Sequence, residues 1–140
     1  MERDRFFERA VARKVARVFE YSFQKKNKYP LDFIKAWMES DTAIQTTKCN
    51  GNYLCQGYIW IYNTFEMECP SIKEEDLLND YSDAMYWMGY VLQLFVFESN
   101  KLPSEIVETY DMERILCAYD TLHTLSANGA IERIEEDFRR

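Results

Sequence analysis

Apolar residues recur at three- and four-residue spacing over residues 4–26, where Phe7, Val11, Val15, Val18, Phe19 and Ser22 fall on one helical face. Asp4 is placed to cap this helix, and Lys25 and Lys26 suit its negative C-terminal end. Asn27-Lys28-Tyr29-Pro30 ends it. Pro30 then opens a second helix, with Asp32 in its first turn and Phe33, Ile34 and Trp37 as the apolar stripe. Ser40-Asp41 predicts a capped third helix through Gln45. Cys49-Asn50-Gly51-Asn52 predicts a turn, because Asn and Gly reach positive φ cheaply, and it is compatible with a short hairpin over 48–56. Residues 57–68 hold β-branched and aromatic residues that suit a strand, but Ile61, Phe65 and Glu68 fit a helix, which is the reading adopted.

Ser71-Ile72-Lys73-Glu74 has the spacing of a capping box and predicts a short helix to Asp80. Residues Asp80 to Glu98 are apolar nearly all round, as a helix surrounded by others must be. Gly89 within it leaves room for another backbone. Helices follow at Ser104–Glu108 and Asp111–His123, the latter with Ile115, Leu116, Tyr119 and Leu122 on one face. Ser126 caps a last helix that turns Ile131, Ile134 and Phe138 inward. Val18–Phe33 aligns without a gap on Val91–Ile106, matching Asn27 with Asn100, Lys28 with Lys101 and Pro30 with Pro103. Either a shared helix–turn–helix geometry or a duplication gives this match.

The expectation is therefore an all-α fold: one compact multi-helix domain over residues 1–140, packed around the aromatic helix at 80–98. Only 4 Gly and 3 Pro among 140 residues argue against a many-turned β fold. A chain of this length buries roughly two-thirds of its unfolded surface without a staple. The four cysteines, Cys49, Cys55, Cys69 and Cys117, lack the close Cys/His pairing of a zinc site. The opening MERDRFFERAVARK has no apolar signal region, and the longest apolar stretch falls short of the ~20 residues that span a bilayer. A cytoplasmic protein with reduced thiols, no metal, no cofactor and no membrane contact is expected.

Charge is unevenly spread. Residues 1–28 hold nine basic and four acidic side chains, against a net charge of -7 for the whole chain. Arg5, Arg9, Arg13 and Arg17 recur every four residues and form one ridge, a candidate phosphate contact. The acidic balance elsewhere opposes approach of nucleic acid, and the ridge can instead meet acidic groups of its own domain. The single histidine, His123, has Asp120 one turn away, which reads more readily as a surface pair than as a catalytic one. The acidic runs Glu74-Glu75-Asp76 and Glu132 to Asp137 read as solvated faces, or as weak phosphate mimicry. No phosphate-binding glycine loop, nucleophile elbow, zinc-protease motif or EF-hand loop is present.

The chain has 10 Tyr, 3 Trp and 6 Met, types enriched at protein interfaces. Trp37, Trp60, Tyr86 and Tyr90 are the candidate partner-binding anchors, with Phe97 a further exposed-face candidate on the aromatic helix. The stretch Asp83-Ala84-Met85-Tyr86-Trp87-Met88-Gly89-Tyr90, then Tyr119 to Thr124, then Ala130-Ile131-Glu132, resembles a family of small helical proteins of Gram-positive gut bacteria. Some members lie beside toxin genes, including ADP-ribosyltransferase types, and are treated as antitoxins. The likeness covers the C-terminal half, and departs from the family at Val91-Leu92-Gln93-Leu94-Phe95, where no basic residue follows Gly-Tyr. It implies a non-enzymatic module that inhibits a protein partner, a toxin or other effector, by occlusion. Self-association is a further possibility. The alternatives are a mobile-element or phage-type inhibitor of a nucleic-acid machine, using acidic mimicry or the Arg ridge, and, further off, a small hydrolase using His123.

Overall fold

The computed structural model describes residues 4–49, 53 and 56–140. Among these residues the chain is all-α, with nine helices: α1 (Arg5–Gln24), α2 (Pro30–Glu39), α3 (Asp41–Lys48), α4 (Tyr58–Glu68), α5 (Ser82–Ser99), α6 (Pro103–Thr109), α7 (Met112–Cys117), α8 (Tyr119–Leu122) and α9 (Ala127–Asp137). Their starts follow local chemistry. Asp4, Ser40, Asp111 and Ser126 each accept a hydrogen bond from a first-turn amide of the helix they precede. Pro30 and Pro103 are the first residues of α2 and α6, where a missing N–H costs nothing.

The spine is α1 against α5. They run antiparallel: Arg5 bonds Glu98 at one end (3.0 Å), and Phe23 meets Tyr81 at the other, with ring centres 5.7 Å apart. Gly89 lies against Val15, Ala16 and Phe19 at mid-length. The close backbone approach that Gly89 permits is thus made by α1 of the same chain. Most of α5 is buried, and Tyr86, Trp87, Tyr90 and Phe97 are its half-exposed aromatic residues.

Beside the spine, Phe19, Phe33, Trp37, Tyr62 and Phe65 from α1, α2 and α4 form one aromatic cluster. Phe19 meets Phe33 edge-on at 5.1 Å, and Phe33 meets Phe65 edge-on at 5.2 Å. Such edge-to-face pairs add about 0.5–1.5 kcal/mol each beyond the area they bury. The helical reading of 57–68 holds, because Ile61, Tyr62 and Phe65 all turn into this cluster.

Two expectations change. Residues 71–80 form no helix but an extended strap. Its backbone pairs with the turn after α1: Tyr29 N donates to Lys73 O (2.9 Å), and Glu75 N donates to Asn27 O (2.9 Å). Glu74, whose carboxylate the capping box needs, instead accepts from the Lys28 ammonium at 3.0 Å. The segment expected as one helix over 111–123 breaks at Ala118 into α7 and α8. The suggested hairpin falls mostly on residues outside those described; Lys48 ends α3, and Cys49 follows it in a left-handed conformation. Cys49, Cys69 and Cys117 are free thiols, and Cys55 lies outside the described residues. No helix among the described residues is long and apolar enough to cross a membrane.

Candidate functional site

The expected anchors separate. Trp37 is only 1% exposed and packs on Phe19 and Phe65, so its ring is not offered to a partner. The apolar stripe of α2 placed it in the core, which corrects its candidacy. Trp60 is half-buried on α4, edge-on to Tyr53 at 5.2 Å. Tyr86 and Tyr90 stand half-exposed on α5, one turn apart.

The Arg ridge is partly spent inside the protein. Arg5 holds Glu98 at 3.0 Å. Arg17 donates to Tyr58 Oη at 3.2 Å, lies over the same ring and pairs with Glu20 at 3.6 Å. Arg9 and Arg13 are exposed and make no ion pair with a described residue. His123 is exposed, stacked on Tyr119 (4.5 Å) with Nδ1 at 2.8 Å from the Tyr119 carbonyl, so its bond goes to its own helix and not to Asp120.

A groove that the sequence reading did not assemble lies between the start of α2, the start of α5 and the α7–α8 pair, with a cavity of about 470 Å³. Its floor is tyrosine and aliphatic carbon: Tyr29, Pro30, Tyr81, Leu116 and Tyr119. Four carboxylates line it, Asp80, Asp83, Glu113 and Asp120, and no Lys, Arg or His does. Three distant segments meet here, so no local spacing shows it. The local trace is the adjacency Asp80-Tyr81 and Tyr119-Asp120.

The groove's electrostatics follow from its neighbours. Hydrogen bonds from the Ser82 hydroxyl and amide (N to Oδ1, 2.9 Å) hold the Asp80 carboxyl below the usual carboxylate range. Burial, with the nearby charges of Asp83 and Asp120, pushes the Tyr119 phenol up, so it stays neutral beside two anions. Trp87 braces Tyr119 edge-on at 5.7 Å. Because i, i+3, i+4 and i+7 share a helix face, Asp83 continues into Tyr86, Trp87 and Tyr90.

This arrangement suits capture of a cation. Clefts lined by one sign of charge concentrate the opposite sign, and tyrosine faces attract ammonium and guanidinium groups. Cys117, the one thiol in the lining, sits at the C-terminal end of α7 among Glu113 and Asp120. Among the described residues no group of three His, Cys, Asp or Glu side chains is placed to hold a metal.

Compared with protein-family models, curated proteins and solved structures, the chain matches none.

Proposed function

We propose that the protein is a non-enzymatic binding module, an antitoxin-like inhibitor that occludes a partner protein by seating a cationic segment of that partner in the acidic tyrosine groove. The observation that carries this reading is the lining: four carboxylates and three tyrosines around about 470 Å³, without one basic side chain. A lysine or arginine entering there exchanges water for carboxylates and π-faces. Tyr86 and Tyr90, on the same face of α5 as Asp83, extend the contact beyond the groove. Aromatic residues of this kind carry much of the energy in protein interfaces.

A second reading rests on Arg9 and Arg13, exposed beside Phe6, which is itself 77% exposed. Two guanidinium groups neutralise about two phosphates, a salt slope of roughly two. That is small for a nucleic-acid binder whose overall charge is -7. The groove reading is therefore the stronger.

Affinity purification of tagged wild-type protein from its native cells tests both, alongside Asp83→Lys/Asp120→Lys and Arg9→Glu/Arg13→Glu variants. The groove reading expects a stoichiometric protein partner that survives the Arg substitutions and is lost with the Asp substitutions. Co-purifying nucleic acid, lost with the Arg substitutions and with moderate salt, overturns it in favour of the second reading.

A further inference from the structure

The strap fixes what the turn after α1 can hold. Lys28, only 4% exposed, pairs with Glu74 at 3.0 Å and Glu66 at 3.4 Å. On either side, the Tyr29 amide and the Asn27 carbonyl bond the strap backbone at Lys73 and Glu75. This is a short antiparallel pairing with a carboxylate at its centre.

The chain builds the same turn twice. Asn27 and Asn100 are both left-handed, with φ of 52° and 55°. Each is followed by a lysine, then an apolar residue at the N-cap, then a buried proline as the first residue of a helix. Beneath the prolines, Phe33 and Ile34 of α2 match Ile106 and Val107 of α6, all buried. The offset that carries Asn27 onto Asn100 also carries Ala16 onto Gly89. Those two touch where antiparallel α1 and α5 cross, as equivalent residues do on a two-fold axis. The turn after α5 is thus the counterpart of the turn after α1.

The two turns differ in their cover. Lys101 is exposed and makes no ion pair with a described residue. Leu102 is 47% exposed, and among the described residues its amide donates only to Glu105 of its own helix, at 3.3 Å. A cavity of about 630 Å³ lies alongside, lined by Ile44, Phe97, Leu102 and Pro103, with Lys48 and Lys101 as its cations. Three carboxylates, Glu8, Glu98 and Glu105, line it as well; Glu98 is taken by Arg5 and Glu105 by the Leu102 amide, and Lys101 at the turn itself is the cation left to meet a carboxylate.

We infer that the Asn100–Pro103 turn is a docking site for an extended, glutamate-bearing segment of a partner protein, bound as the strap binds Asn27–Pro30. The Leu102 amide donates to a backbone carbonyl of the segment, and the Asn100 carbonyl accepts from the amide two residues on. Lys101 takes the carboxylate between them, and the Glu105 side chain swings away from the amide it caps. The site shares no residue with the acidic groove, so it stands or falls apart from the proposed function.

The test is an amide-shift titration of the isotope-labelled full chain with a capped synthetic peptide of strap sequence, Pro70 to Leu77. Saturable shifts at Lys101 and Leu102 are expected. Lys101→Ala, or Glu74→Ala in the peptide, weakens binding about tenfold, as loss of a charged hydrogen bond does. Glu105→Ala, which removes the competing cap, tightens it. No shift at Lys101 and Leu102, or shifts confined to Asn27–Tyr29 where the peptide merely exchanges with the strap, overturns the inference.

Discussion

Gly89 of α5 rests so closely on Ala16 of α1 that a Cβ at position 89 would lie 2.8 Å from the Ala16 Cα. It would also come within 2.9 Å of the Phe19 ring and the Val15 carbonyl. Two of these neighbours are backbone and cannot rotate away. In an exposed helix, glycine to alanine gains about 1 kcal/mol of propensity. Here overpacking, at about 1–3 kcal/mol, opposes and exceeds that gain. Gly89→Ala is expected to lower stability by up to about 2 kcal/mol net, read as a lower denaturant midpoint with an unchanged slope. A raised midpoint would mean that the two helices are not held this closely.

Where a single segment decides its own structure, the sequence was readable. Asp4, Pro30, Ser40 and Ser126 announce their helices because a cap acts within one turn. The all-round apolarity of residues 84–97 gives α5 its place at the centre for the same reason. The strap was not readable from Ser71 to Glu74, because the group that claims Glu74 is Lys28, 46 residues away. The acidic groove was hidden in the same way, since Tyr29, Asp83 and Asp120 belong to three separate segments. Trp37 shows the converse: its helical spacing with Phe33 and Ile34 already put it in the core, and interface statistics alone made it a surface candidate.

Lys28 ties the strap to the first turn, and its removal tests that tie. Its ammonium is buried, while its partners Glu66 and Glu74 remain partly exposed and can be rehydrated. Lys28→Ala therefore strands no buried carboxylate, and a cost of about 1–3 kcal/mol is expected. Amide exchange distinguishes this from general weakening. Tyr29 and Glu75, whose amides make the strap pairing, should exchange much faster than the α5 amides. Equal acceleration throughout would show that Lys28 supports the whole fold and not the strap alone.

Tyr62 is fully buried, and its hydroxyl bonds to no described residue. Burial first, then the charges of Glu66 and Glu74, push its phenol well above the usual tyrosine value. The ring packs on Tyr21 at 5.1 Å and on Phe33, contacts that phenylalanine would keep. Removing an unsatisfied buried hydroxyl relieves its desolvation cost, so Tyr62→Phe is expected to stabilise the protein by about 1 kcal/mol. Thermal unfolding should shift upward by a few degrees. A fall would reveal a hydrogen bond that the hydroxyl makes in solution.

Glu68, at the end of α4, reaches back to the start of α3. Its carboxylate accepts from the Asp41 amide (2.7 Å), the Thr42 amide (3.0 Å) and the Thr42 hydroxyl (2.7 Å). Burial pushes its carboxyl up, but these three bonds outweigh that and hold it below the usual glutamate range. A carboxyl lowered on folding stabilises the protein fully above its unfolded value of about 4.3 and loses that contribution as pH falls through the lower folded value. Because the side chain is exposed, the contribution is that of a screened charge at a helix N-terminus, about 0.5–1 kcal/mol. Glu68→Gln is expected to cost that amount at pH 7 and progressively less as pH falls below 4, so the wild-type and variant curves converge in acid. A gap that stays constant across this range would show that Glu68 acts through neutral hydrogen bonds or packing, and not through its charge.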